Sequence, residues 1–357
     1  MQRLALVLLL LSSVIAHTAL ASPSEEEVAG CTHTVDGGAG AHVSYGTDQA
    51  DRLKVIEPSC ALAMQGAGLI ADNRTAEGEL AFVQALSSAP SDLIRGFVRH
   101  TAAQAYFARA QGHDDKQEWQ QSIADYTVAH GYSPDDVGIL GARAVAYERA
   151  LDMPAAIADF TAVIEQGDDD PQGFQSRGVA REMNLDFDGA IRDFDEALRL
   201  GGDVPSSAQV YHLRGRALAV LGRLDLARAD LEKAMALEPA GSTVVWLHIV
   251  HLKFGENDSD WLAQRYAAMH HDTWQAQVVA YFTGTTSADA LIRFAQTDAG
   301  TAQAYQRCDA WFYLGEDALS RGDTARASEL FHETISRCDA LDYEWDVAHI
   351  ELKNLVQ

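Results

Sequence analysis

The chain has 357 residues, 47% apolar and 22% charged, with 27 Lys and Arg against 52 Asp and Glu for a formal charge of −25. That balance repels nucleic acid and anionic membranes, so neither is expected as a partner, and it favours proteins or peptides that carry basic patches. Charge governs association and solubility and does not choose a fold.

The first 21 residues read as a Sec-type signal peptide, with Arg3 as the positive end, Leu4 to Ala16 as the apolar core and Ala19-Leu20-Ala21 as the small-x-small cleavage signal. The apolar run has 13 residues, short of the ~20 a membrane span needs, and no later stretch approaches that length. The expected mature chain begins near Ser22, has a net charge of −26 and lies in the periplasm or outside the cell. Val28-Ala29-Gly30-Cys31 looks like a lipidation tetrapeptide. Glu25, Glu26 and Glu27 separate it from the apolar core, so lipoprotein anchoring at Cys31 is the lesser reading and a disulfide the better one.

Residues 22–51 are rich in Gly, Ser, Thr and acids, show no period and read as a loose arm, with helix from about Gln49. Residues 52–136 are expected to be helical and to contain one degenerate repeat: Ala105 to Gln111 suits a first helix and Ser122 to Tyr126 a second. Gly112 to Gln121 reads there as an insertion too long for a tight turn. Three regular units follow at 137–170, 171–204 and 208–241. Aligned, the last two share an aromatic at position 4 (Phe174, Tyr211), Arg-Gly at 7 and 8 (Arg177-Gly178, Arg214-Gly215), Ala at 20 (Ala190, Ala227) and a large apolar residue at 24 (Phe194, Leu231), and the first keeps Arg143, Ala144 and Tyr147 in its first helix with Ala156 and Phe160 in its second. Residues 242–307 keep a helical period without this signature and are broken at Gly255 to Asp258 and at Thr283 to Thr286. The signature returns over 308–341 in Trp311, Leu314-Gly315, Gly322, Ala327 and Phe331. Residues 342–357 read as a solvating capping helix.

This pattern resembles the tetratricopeptide repeat (TPR), a ~34-residue pair of antiparallel helices with small residues where they cross. The resemblance implies an all-α, TPR-type α-solenoid of antiparallel helical hairpins with a C-terminal capping helix, acting as a non-enzymatic scaffold without cofactors. Its groove is lined by positions 2, 5, 9, 12 and 13 of the first helices. These map to Glu148 and Arg149; Gln172, Gln175, Glu182 and Met183; Gln209, His212 and Arg216; and Asp309, Phe312 and Glu316. The Lys/Asn/Arg clamp with which some TPRs grip an acidic C-terminal tail is missing from these positions.

Arginine at position 7 and aspartate at position 23 recur as Arg143 with Asp159, Arg177 with Asp193 and Arg214 with Asp230. In a hairpin that turns near position 16 these positions share one height, so intra-repeat ion pairs are expected in preference to a ladder for anions. The same argument pairs Cys308 with Cys338, at positions 1 and 31 of the last unit, for about 3 to 4 kcal/mol in the chain-entropy model. Cys31 and Cys60 are then left for each other.

No metal-ligand cluster stands out: His270-His271 and His248 with His251 read as exposed helix histidines. Gly37 to Gly40 follows no strand, and the sequons at Asn73 and Asn257 matter only in a eukaryotic host. No nucleophile elbow or carboxylate pair nominates a catalytic site.

From Val244 onward, Trp274, Ala280 to Gly284, Cys308 to Gly315, Gly322-Asp323, Ala327, Leu330-Phe331 and Glu351-Leu352 are similar to the C-terminal half of the New lipoprotein I type of bacterial TPR protein. That likeness implies a periplasmic adaptor for envelope proteases or peptidoglycan hydrolases, often dimeric. A helical-hairpin enzyme or small-molecule receptor and a purely architectural dimer are the alternatives from other classes.

Overall fold

The computed structural model describes residues 32–36, 43–44, 52–167, 170–202, 204–296, 303–338 and 342–356. The signal peptide, its cleavage site, Cys31 and most of the 22–51 arm lie outside these residues, as does the side chain of Cys308. The described chain falls into two compact units, one covering residues 32–167 and the other 170–356.

The first unit opens with β1 (Thr32–Asp36), β2 (Val43–Ser44) and β3 (Arg52–Ile56), an antiparallel sheet in the order β1-β3-β2 with Thr32 opposite Ile56 and Val43 opposite Val55. The stretch expected as loose arm and helix start thus contains strands. The reason is the period of Arg52-Leu53-Lys54-Val55, which alternates polar and apolar as a half-buried strand does. Helix begins only at Pro58, whose fixed φ suits the first helical position, with Glu57 accepting from the Cys60 amide at 3.1 Å.

Three hairpins follow: α1 (Pro58–Ala71) with α2 (Thr75–Ser88), α3 (Asp92–Asp114) with α4 (Trp119–Tyr132), and α5 (Val137–Arg149) with α6 (Met153–Gln166). Each turns through one left-handed residue, Asn73, Gln117 or Leu151. The amide beyond it returns to a carbonyl of the last helical turn at 2.8 to 2.9 Å, as in Arg74 to Leu69, Glu118 to His113 and Asp152 to Tyr147. The insertion expected at Gly112 to Gln121 is therefore absent. Helix α3 runs through Gly112, and the reversal at 115–118 is as tight as its neighbours. Burial of Phe97, Val98, Tyr106 and Phe107 outweighs the roughly 1 kcal/mol that one mid-helix glycine costs.

The second unit contains α7 (Pro171–Met183), α8 (Phe187–Gly201), a 3-10 turn at Pro205–Ser207, α9 (Ala208–Val220), α10 (Leu224–Leu237), α11 (Gly241–Phe254), α12 (Ser259–Ala267), α13 (Trp274–Phe282), α14 (Ala288–Gln296), α15 (Gln303–Ser320), α16 (Thr324–Arg337) and α17 (Tyr343–Leu355). Position 8 is glycine because the helices of a hairpin cross there. A Cβ on Gly178 would lie 2.6 Å from the Phe194 ring, and one on Gly315 would lie 2.6 Å from Phe331. Helix α11 lacks the repeat signature because it is buried on every side from Thr243 to Val250, which erases a one-faced pattern. No helix of the described residues is long and apolar enough to cross a membrane.

Helix α17 departs from the solvating cap expected at 342–357. It buries Tyr343, Glu344, Asp346, Val347, Ala348 and Glu351, and its Tyr343 ring meets Phe187, Trp246 and Arg216.

Candidate functional site

The structure brings the position-7 arginines and position-23 aspartates together. Arg143 donates from Nε and Nη2 to the Asp159 carboxylate at 2.7 and 2.8 Å, Arg177 to Asp193 at 3.0 and 2.8 Å, and Arg214 to Asp230 at 2.7 and 2.7 Å. Asp193 accepts a further bond from Arg181 Nη1 at 2.8 Å. A fourth pair, Arg109 with Asp125 at 2.7 and 2.6 Å, belongs to the supposedly interrupted repeat. It escapes a sequence reading although both residues stand 34 positions before Arg143 and Asp159, because the assumed insertion hides the register. An aromatic three residues before each of three arginines lies under the guanidinium: Tyr106 at 5.1 Å, Phe174 at 5.7 Å and Tyr211 at 5.6 Å. These guanidiniums are consumed by structure and offer no ladder for an external anion.

The positions assigned to an open groove are mostly interior. Gln175, Glu182, Met183, His212, Arg216, Asp309, Phe312 and Glu316 are buried in the second unit, and Gln172 and Gln209 are half-buried. In the first unit Glu148 is buried and Arg149 half-buried. The correction has a physical cause, since within the second unit these positions face helices far along the chain. Arg216 donates to Glu182 at 2.8 Å and lies 3.7 Å from the Tyr343 ring. Phe312 packs on Trp246 at 6.1 Å, and Tyr313 donates to Glu344 at 3.3 Å. Burial, with the charges of Glu344 and Asp342, holds the Asp309 carboxyl well above the usual carboxylate range. Burial and the charge of Arg216 push His212 down to about 3, so it stays neutral beside Thr243 Oγ1 at 3.1 Å.

One buried cluster combines three helices. Lys253 on α11 reaches Glu316 on α15 at 3.0 Å and Glu351 on α17 at 2.8 Å. Burial pushes Glu316 up to about 7; the Lys253 charge opposes that rise and the Glu351 charge adds to it. A carboxyl whose folded pKa is raised favours the folded state in its protonated form. Its contribution is complete below the unfolded value of about 4.3 and is lost as pH climbs through about 7. Glu316→Gln keeps the acceptor and removes the titration. The variant should match the parent near pH 5 and exceed it at pH 8 by about 1 to 3 kcal/mol in urea unfolding, at ~1.36 kcal/mol for each pH unit separating the folded and unfolded values. Parallel pH profiles for the two proteins would refute this account of the cluster.

The histidines expected to be exposed divide. His270 and His271 are exposed, whereas His248 is buried and donates with His251 to Asp258 at 2.9 and 3.0 Å. The signal was available in the spacing, since His248 and His251 lie one turn apart on the same face of α11. Among the described residues no group of three or more His, Cys, Asp or Glu side chains is arranged to hold a metal ion. No cysteine among them is free.

The hairpins, the glycine crossings and the Arg–Asp pairs converge on one known repeat. Residues 178–242 match the tetratricopeptide repeat. The fold is thus the all-α TPR type of array. Among solved structures, the chain is similar to a TPR protein from Parabacteroides merdae ATCC 43184, at 13% identity over 84% of this chain and 100% of that one, with a TM-score of 0.45. It is also similar to the MamA protein (16% identity, 52% and 96% covered, TM-score 0.43) and to PilW, described as a type IV pilus biogenesis factor (15% identity, 71% and 98% covered, TM-score 0.42).

Proposed function

We propose that this chain is an exported, non-catalytic scaffold that holds other polypeptides outside the cytoplasm. The observation that carries the reading is the array of TPR-type hairpins whose glycine crossings and bidentate ion pairs are spent on rigidity, with residues 178–242 matching a repeat that serves for protein binding. Partners with basic patches suit the charge of −25. Disulfides Cys31–Cys60 and Cys308–Cys338 belong to the proposal, as does a role like that of the New lipoprotein I adaptors in docking envelope proteases or peptidoglycan hydrolases. Because the groove positions of the second unit are filled by the chain itself, its partner is expected on outward helix faces or in place of α17.

The test is crosslinking mass spectrometry on the full chain expressed in its native host, with N-terminal sequencing of the mature protein. The reading expects a start near Ser22 and crosslinks to basic envelope proteins that weaken as salt rises. A cytoplasmic chain that keeps residues 1–21, or one that crosslinks to nothing, would sink it.

A further inference from the structure

The array loses its regularity at α12. This helix stops after 9 residues, where α10 and α16 have 14, and the chain then passes through 268–273 before α13. Beside this gap lies a half-open cavity of about 310 Å³, at the lower end of the range for small-ligand sites. Met235, Val244 and Met269 are among its apolar lining residues, and methionine adapts to guests of varied shape. Arg265 stands in the lining, exposed and without an ion pair among the described residues, its guanidinium 5.5 Å from the Trp261 ring.

Two further features favour negative charge here. Gly241 opens α11 with no side-chain cap, and the amides of Gly241, Ser242 and Thr243 have no acceptor among the described residues. Gln275, in the first turn of α13, is so close that a Cβ on Gly241 would lie 2.8 Å from its own Cβ. The uncapped start of α11 therefore meets the start of α13, where Thr273 Oγ1 already accepts from the Ala276 amide at 3.3 Å, at a cavity that Arg265 helps to line. The lining is mixed, with Arg265, His270, Thr273 and Gln275 beside the apolar Met235, Pro239, Val244 and Met269.

We propose that this cavity binds the free carboxylate of a short apolar chain end, either the last residues of a polypeptide or a small aliphatic acid, with Arg265 on the carboxylate and the methionines around the apolar part. The site is separate from the groove positions of the first helices, and it stands or falls independently of the scaffold reading.

The experiment is a titration of the full chain followed by tryptophan fluorescence, which Trp261 beside Arg265 should report. The probes are N-acetyl-Leu-Leu with a free carboxylate, the same dipeptide as its amide, and hexanoate. The acid dipeptide should saturate the signal, and the amide should bind about tenfold more weakly or worse, as expected for a lost charged hydrogen bond. Arg265→Gln should lower the acid's affinity to that of the amide. Ala268→Trp, at an exposed position of the lining, should abolish binding of both. Hexanoate binding at least as tightly as the dipeptide assigns the site to a free acid, and weaker hexanoate binding assigns it to a chain end; either supports the proposal. Equal affinity for acid and amide, indifference to Arg265→Gln, or no saturation by any probe up to about 10 mM would overturn it. If Ala268→Trp does not fold, the Arg265→Gln comparison alone decides.

Discussion

Asp193→Ala is expected to cost about 3 to 5 kcal/mol of unfolding free energy, the cost of breaking a buried pair from one side. Asp193 is 2% exposed and accepts from Arg177 at 3.0 and 2.8 Å and from Arg181 at 2.8 Å. Its removal takes the shared acceptor from both Arg177 and Arg181 in the α7–α8 hairpin, leaving Arg181 only Asp186 at 3.9 Å and the Gly189 carbonyl at 3.3 Å. The pair is not itself a large source of stability, because its attraction largely offsets the loss of hydration. The triple variant Asp193→Leu with Arg177→Leu and Arg181→Leu should therefore recover most of what Asp193→Ala loses. Urea unfolding followed by circular dichroism measures both. A loss under about 1 kcal/mol for the single change would mean that water already screens the site.

Tyr343→Ala carries the second large effect, again about 3 to 5 kcal/mol by the cost of truncating a large buried aromatic side chain. The ring is 2% exposed and joins α17 to three distant elements through Phe187 at 6.4 Å, Trp246 at 5.5 Å and the Arg216 guanidinium at 3.7 Å. Truncation should leave a cavity and weaken the hold on α17. The checkable consequence is faster tryptic cleavage at Lys353, which lies on α17, before cleavage elsewhere in the unit. Cleavage order unchanged from the parent would show that the remaining contacts of α17 suffice.

These two sites differ in how far the chain itself reveals them. Asp193 and Arg177 are 16 residues apart within one hairpin, so their meeting depends only on two helices and the turn between them. The same local logic makes Gly178 and Phe194 readable as a crossing, again 16 residues apart. It also reaches the pair Arg109 and Asp125, once Gln117 is allowed the left-handed turn that Leu151 and Leu185 take at intervals of 34. Taking Gly112 as a break is an error of local reading. Glycine weakens a helix, and a well-packed helix carries it.

Tyr343 could not be reached in that way. Its partners Phe187, Arg216 and Trp246 lie 97 to 156 residues earlier, and their meeting follows from the accumulated rotation of successive hairpins. A small change of angle at each hairpin, invisible in any one repeat, decides whether Arg216 and Glu182 face solvent or the last helix. The cavity beside Arg265 is beyond local reading for a related reason. It exists because α12 is short and α11 and α13 begin side by side, and no single segment encodes that adjacency.

The sequence by itself determined the helical hairpin as the repeating unit, its glycine crossings and its internal Arg–Asp pairing, because each depends on residues within about 34 positions of one another. Only the tertiary structure decided which polar residues are buried, that the expected groove of the second unit is filled by its own final helix, and where an unclaimed cavity remains. Burial is a sum over contacts from the whole unit, and a repeat pattern records only its nearest neighbours.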